Sequence, residues 1–204
     1  MRTRIVPELL PSTLLAPERY VGTRTGAGVP LGDLVVERAL RVRKPPADAI
    51  VFDTTHARDG LLDLACASRA PGVPASAKKP LIAGDLLVSR LRTYLRQVAW
   101  VHPLIVAAAG RPLACSTEFH VLSPRDDGAS LAFLVPFVLS APVQARLLAA
   151  QEGGHHPRVP RDVLLSLPVP RAWVRRREEL SRRVTEALGA LLVARGRWYA
   201  TLEG

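Results

Sequence analysis

Three arginines and a tyrosine alternate in the middle of the chain: Arg90, Arg92, Tyr94 and Arg96, with Leu91 and Leu95 between them. In an extended strand-to-loop segment, residues two apart project to the same side. The spacing therefore predicts one face carrying three guanidiniums and a phenol, with the leucines opposite. Guanidinium grips phosphate bidentately and reads guanine edges, and a phenol contacts sugar or stacks on a base. An edge strand defended against pairing by its own charge has the same pattern. A second cationic segment is Gly153-Gly154-His155-His156-Pro157-Arg158, followed by Arg161. Its glycines let backbone approach a ligand, and His155, His156, Arg158 and Arg161 are donors suited to phosphates or bases. Lys78 and Lys79 close a loop containing Pro71, Gly72 and Pro74 and are assigned as phosphate contacts.

Catalytic patterns are sparse. Ser116-Thr117-Glu118-Phe119-His120 holds residue types used in catalysis, and Glu118 and His120 would share one face of a strand. No Ser-His-Asp or carboxylate–lysine arrangement accompanies them. Adjacent histidines point apart in extended chain and no third ligand has a recognisable spacing, so no metal is expected. No glycine-rich phosphate loop follows a strand, and neither a nucleotide nor S-adenosylmethionine is expected as a cofactor. Cys66 and Cys115 form no C-x-x-C pair; Cys115 is read as a small buried hydrophobe and the setting as reducing and cytoplasmic.

The chain has 204 residues, with 28 basic against 18 acidic side chains and a formal charge of +10. A 48% hydrophobic content supports a folded core and excludes a wholly disordered chain. The surplus of cations points to a polyanionic partner. Only Lys44, Lys78 and Lys79 are lysines; a GC-rich genome accounts for arginine over lysine, but not for the surplus over acids. The most apolar stretch, 131–145, is shorter than the ~20 residues a membrane span needs and contains Pro136 and Pro142. No signal peptide is expected, and the chain is read as soluble.

Short apolar runs between Gly/Pro clusters read as strands: 32–36, 49–52, 61–65, 86–88, 98–101, 104–109 and 117–122. The first 25 or so residues are irregular, rich in Pro and Arg. Helical patterning covers 129–151, interrupted near Pro142, then a short helix opens near Pro160 and Leu167-Pro-Val-Pro170 forms an extended exit. From about Val174, apolar residues recur at Leu180, Val184, Ala187, Leu191, Ala194, Trp198 and Leu202, one stripe of a long helix or a coiled-coil seam. Gly189 and Gly196 weaken that helix, so packing must hold it. It either lies across the body or projects to pair with another helix. Arg175-Arg176-Arg177 opposes the helix dipole, a misfit that an acidic partner or phosphate would relieve. The predicted architecture is α/β (α+β): a mixed, β-rich body over 1–170 and a long helix over 171–204.

Gly84-Asp-Leu-Leu-Val-Ser-Arg-Leu-Arg-Thr-Tyr-Leu95, Val98-Ala-Trp-Val101 and Cys115-Ser-Thr-Glu-Phe-His-Val-Leu122 resemble the target-recognition domain of type I restriction-modification DNA-specificity (S) subunits. The downstream order is similar too: a helical segment, the basic loop 153–158, Val159 to Pro170, then Glu178-Glu179-Leu180 opening a long helix. The likeness covers roughly 80–200. The family usually carries two recognition domains and two spacer helices per chain; this chain resembles half of that. The resemblance implies a non-catalytic reader of double-stranded DNA in a restriction-modification or related phage-defence system. It implies further that a methyltransferase (modification) subunit, and in some systems a restriction subunit, does the chemistry, and that a second copy pairs through the helix. Two rivals stand beside it: a small metal-dependent nuclease using Glu118, His120 and Asp85, and an adaptor whose basic face meets an acidic protein.

Overall fold

The structure, a computed structural model, describes residues 28–69, 76–153 and 157–203. The irregular N-terminal segment and most of the Pro71–Pro74 loop lie outside them. In chain order the elements begin with β1 (Gly28–Pro30), β2 (Val35–Glu37), β3 (Ile50–Phe52), β4 (Ala57–Arg58), β5 (Leu61–Leu62) and α1 (Leu64–Ser68). There follow β6 (Lys78–Leu81), β7 (Leu86–Ser89), β8 (Val98–Trp100), α2 (Pro103–Ala109), β9 (Leu113–Ser116) and β10 (Phe119–Pro124). The chain ends with α3 (Leu134–Val138), α4 (Ala141–Ala149), α5 (Arg161–Leu165), β11 (Pro168–Pro170), α6 (Arg171–Arg175) and α7 (Arg177–Glu203).

Two sheets stack beneath a helical layer. The antiparallel sheet β2-β10-β7-β8 lies in the middle, and β3-β9-β6 lies on one side of it. Leu86, Leu87 and Val88 are all buried because β7 is covered on both faces. Their alternation divides them: Leu86 and Val88 join Trp100, Leu122, Leu134 and Leu188 beneath the helices, while Leu87 joins Phe52, Cys115, Phe119 and Val121 between the sheets. Burial pushes the Cys115 thiol up to about 12, which makes it the inert core residue expected. The extended exit at Leu167–Pro170 is realised as β11 paired to β1.

Two expected strands are helices. Leu104–Ala109 lies in α2 because His102 caps it through Nδ1, Pro103 occupies its first turn and Gly110 ends it with φ 57. Residues 61–65 give only the two-residue β5 before Asp63 caps α1 by accepting from the Cys66 amide. Asp59 (φ 50) and Gly60 (φ 91) join β4 to β5. Positive φ at both central positions is the geometry of the tightest hairpin turn, whose twist matches the strands.

The 27-residue α7 runs some 40 Å along the body and is tied at several levels. Arg177 pairs with Asp126 at 3.2 Å, and Leu188 is buried in the core. The His102 Nε2–H donates to the Thr185 carbonyl at 3.1 Å, and Arg195 meets Asp63 at 2.5 Å. Gly189 is seated where a Cβ would come 3.2 Å from His102 Nε2, so the glycine that weakens the helix also admits it to the body. The arginine misfit is relieved within the chain: Arg176 grips Glu179 with two bonds of 2.9 Å, and Glu178 and Glu179 fill the first turn.

At Gly60 a Cβ would lie 2.8 Å from Val135 Cγ1 and 3.2 Å from Leu188 Cδ2. Gly60→Ala is expected to cost about 2 kcal/mol through clash and positive φ. That lowers Tm by roughly 4–8 °C in a chain of this size. Thermal unfolding followed by circular dichroism checks this; an unchanged Tm would show that Leu188 is not seated against the turn.

Candidate nucleic-acid interface

The two cationic segments singled out in the sequence are neighbours in the fold. Leu91 and Arg158 form an antiparallel bridge, and the Val159 amide donates to the Arg90 carbonyl at 2.8 Å. The Arg90 amide in turn donates to the carbonyl of Glu118, in the β9–β10 turn, at 2.9 Å. Glu152 and Arg158 exchange backbone bonds of 3.0 and 2.7 Å and so close the loop between them. Three connections thus meet at one end of the central sheet: 90–97, 117–118 and 152–158. His155 and His156 lie in the last of these but outside the described residues.

The single arginine face does not form. Strand β7 ends at Ser89, and the following residues make a 3-10 turn over Thr93–Leu95 between left-handed Arg92 (φ 46) and Arg96 (φ 54). Period-two alternation needs an extended backbone, and this turn abolishes it. Arg92 and Tyr94 are exposed, Tyr94 at 65%. Leu95 is also on the surface instead of facing the interior, and Thr93 is buried in its place. Arg96 turns away, its Nε 2.8 Å from Asp59 and its Nη1 donating to the Leu139 carbonyl at 3.1 Å. Arg90 is half-buried, and its Nε finds no partner.

Other expected contacts are occupied internally. Lys79 is buried, its ammonium donating to the Phe119 carbonyl at 2.7 Å and lying 3.5 Å from Glu37. Lys78 is buried too and donates to the Ser76 carbonyl at 2.8 Å. Neither reaches a surface phosphate in this conformation, because both stems are enclosed by the sheet. Arg158 clasps Glu118 through Nε and Nη2 at 2.9 and 2.7 Å, with its side chain 39% exposed. Arg161 lies 3.0 Å from Glu37, although most of its side chain faces solvent.

Glu37, which the sequence does not single out, is where several of these groups meet. Burial alone would raise its carboxyl, but hydrogen bonding and charge from His120, with Lys79 beside it, hold it down at about 2. The buried His120 ring sets Nδ1 3.0 Å from Glu37 Oε1 and Nε2 3.1 Å from the Val159 carbonyl. Both ring nitrogens thus face oxygen atoms, and the ring bridges the two. His120 thereby fixes Val159, and Val159 fixes Arg90. The only hint of Glu37 in the sequence is an acid at the end of an apolar strand.

The residues of the nuclease alternative are dispersed in their roles. Glu118 serves Arg158, and His120 serves Glu37 and Val159. Asp85 is buried, accepting from the Ile82 amide and from Ser123 Oγ and pairing with Arg38. Burial pushes the Asp85 carboxyl above its usual range despite those partners.

These sheets and the long helix lying across them are similar in fold to a solved HsdS subunit. Among solved structures, the HsdS subunit from Thermoanaerobacter tengcongensis matches 85% of this chain with a TM-score of 0.50 and 22% identity. A chain from a study of complex assembly and conformational transition of the type I R-M system matches 85% with a TM-score of 0.49 and 23% identity. This chain spans 43% of each. No family model and no curated protein matches it.

The Glu37 carboxyl lies below the ordinary glutamate value of 4.5 when folded, so its contribution is complete above that pH and is lost as pH falls toward about 2. Glu37→Gln should destabilise the protein by ~3 kcal/mol at neutral pH, because it strands buried cations. The gap from wild type should close as pH drops through that window. Denaturant melts from pH 7 to pH 2 measure it; a gap independent of pH would remove the carboxylate's role.

Proposed function

We propose that the chain is a non-catalytic DNA-recognition half-subunit of a restriction-modification or related phage-defence system. It directs a methyltransferase (modification) subunit, and in some systems a restriction subunit, to a site in double-stranded DNA. The observation that carries this reading is the junction of loops 90–97 and 152–158, which gathers Arg90, Arg92, Tyr94 and Arg158 at one end of the sheet. Phosphate contacts would set register there, and loop side chains, His155 and His156 among them, would reach base edges. Residues 1–170 are the recognition body in this proposal and 171–204 the spacer helix.

The helix supplies a pairing surface. Of the apolar stripe, Leu180 and Val184 pack against the core, whereas Ala187, Leu191, Ala194 and Trp198 are exposed, Leu191 at 53% and Trp198 at 61%. Small and large residues alternate symmetrically about a point between Leu192 and Val193. An antiparallel second copy would place Trp198 over Ala187 and Leu191 over Ala194 at every repeat of the contact. Self-complementarity of this kind suits a two-fold interface, and two readers so joined would address a two-part palindromic site.

Binding to random-sequence duplex is expected to weaken with salt at a log–log slope near −5, as about six phosphate contacts require. Arg92→Ala should make the slope shallower by about one. A flat response in the wild type would remove DNA from the account. In sedimentation equilibrium the chain is expected to be a dimer, and Leu191→Glu with Trp198→Glu a folded monomer. A wild type that stays monomeric at tens of micromolar would remove the helix pairing.

A further inference from the structure

We infer that Arg41, Arg43 and Lys44 form a second phosphate-gripping strip beside the loop junction, so that one duplex is held at two separated points. The inference rests on the DNA reading above and extends it to residues on a different element. After β2 the chain crosses from the central sheet to the outer one. The Arg38 amide donates to the Val121 carbonyl at 2.9 Å, and four residues later Val42 exchanges both backbone bonds with Lys78, at 2.8 and 2.9 Å. Val42 therefore acts as a one-residue extra strand on the free edge of β6. The residues on either side of a bridged position project away from it together. Arg41 and Arg43 do so, and with Lys44 they are exposed.

Two facts about charge separate this strip from the arginines around it. Arg38, Arg96 and Arg158 are each held by a carboxylate, of Asp85, Asp59 and Glu118 respectively. Arg41, Arg43 and Lys44 meet no acid among the described residues: of the acids flanking them in sequence, Glu37 is engaged by His120, Lys79 and Arg161, and Asp48 lies beyond Pro45 and Pro46. The strip is also anchored by the two backbone bonds of the Val42 bridge, so its cations lose less entropy on engaging a ligand than those of a free loop would.

Lys78 is in register with Ser116, so Val42 stands two strand spacings, about 10 Å, from the end of β9. The next residues are Thr117 and Glu118, whose carbonyl and carboxylate hold Arg90 and Arg158. Strip and loop junction thus occupy the same end of the body, closer together than one turn of B-DNA, ~34 Å. Side chains on a flank, with no aromatic among them, suit phosphodiester oxygens: arginine bidentately, lysine as a point charge. Sequence signals were present in Arg41-Val42-Arg43, which repeats the spacing of Arg90-Leu91-Arg92.

The test compares the wild-type chain with a R41Q/R43Q/K44Q variant for binding to a random-sequence duplex and to a target duplex, enriched from a random-sequence pool by the wild-type chain, across a salt series. Loss of three phosphate contacts should flatten the log–log slope by about 2.7. The affinity lost between roughly 50 and 200 mM salt then shrinks by about 40-fold. The ratio of target to random binding and the Tm should stay at their wild-type values, since the three side chains are exposed and read no bases. A variant whose slope equals a steep wild-type slope overturns the strip while the DNA reading stands. A wild type with no salt-dependent duplex binding overturns both. A changed target-to-random ratio at unchanged slope also overturns the strip, because it would make these residues base readers.

Discussion

A carboxylate withdrawn from water must be surrounded by donors, and at Glu37 that requirement organises the end of the molecule where the loops join. Its side chain is only 11% exposed and is met by His120 from β10, Lys79 from β6 and Arg161 from α5. Four elements from both sheets and the helical layer are thereby held at one point. The ring of His120 extends the constraint outward: one nitrogen meets Glu37, the other the Val159 carbonyl. Val159 then bonds Arg90. The position of an exposed loop is inherited from the charge balance inside, an arrangement suited to a reader whose loop side chains must be placed to a fraction of an ångström.

The net charge of the chain says little about which cations are available. Several arginines are paired within the chain: Arg38 with Asp85, Arg96 with Asp59, Arg176 with Glu179 and Arg195 with Asp63. Exposed pairs such as Arg96–Asp59 add little to stability. Their effect is to orient, because a guanidinium fixed to a carboxylate keeps its remaining donors in one direction. The clasp of Arg158 on Glu118 is of this kind, and it joins the β9–β10 turn to the loop beside it. The surface thus separates cations with structural tasks from those, such as Arg92, left facing solvent.

Where local signals agreed with the packing, the sequence was legible. The β7 run Leu86–Val88, the paired helices around Pro142, the helix at Pro160 and the long C-terminal helix follow apolar periodicity and proline placement. Leu104–Ala109 was misread because an apolar run of that length suits a strand or a helix equally; Pro103 and Gly110 at its ends were the deciding marks. The 90–96 alternation failed for a different reason: positive φ at Arg92 and Arg96 has no signature in residue types that ordinarily avoid it. Lys78 and Lys79 looked like surface charges because the acid that draws Lys79 inward, Glu37, is some forty residues away. Such partnerships depend on topology, which short-range pattern does not encode. The apolar stripe of α7 was visible, but its second half is exposed because the body meets a neighbouring face of the helix there, through Leu188, Leu192 and Arg195, a choice set by tertiary packing.

The left-handed backbone at Arg92 also limits how this loop can diversify. Glycine and asparagine tolerate that conformation and straight-chain residues accept it at some cost, whereas β-branched side chains are strained there. A lineage acquiring new sequence preferences through this loop would therefore draw on a restricted alphabet at position 92. Position 94, within the short turn, carries no such restriction, and variation among descendants should concentrate there.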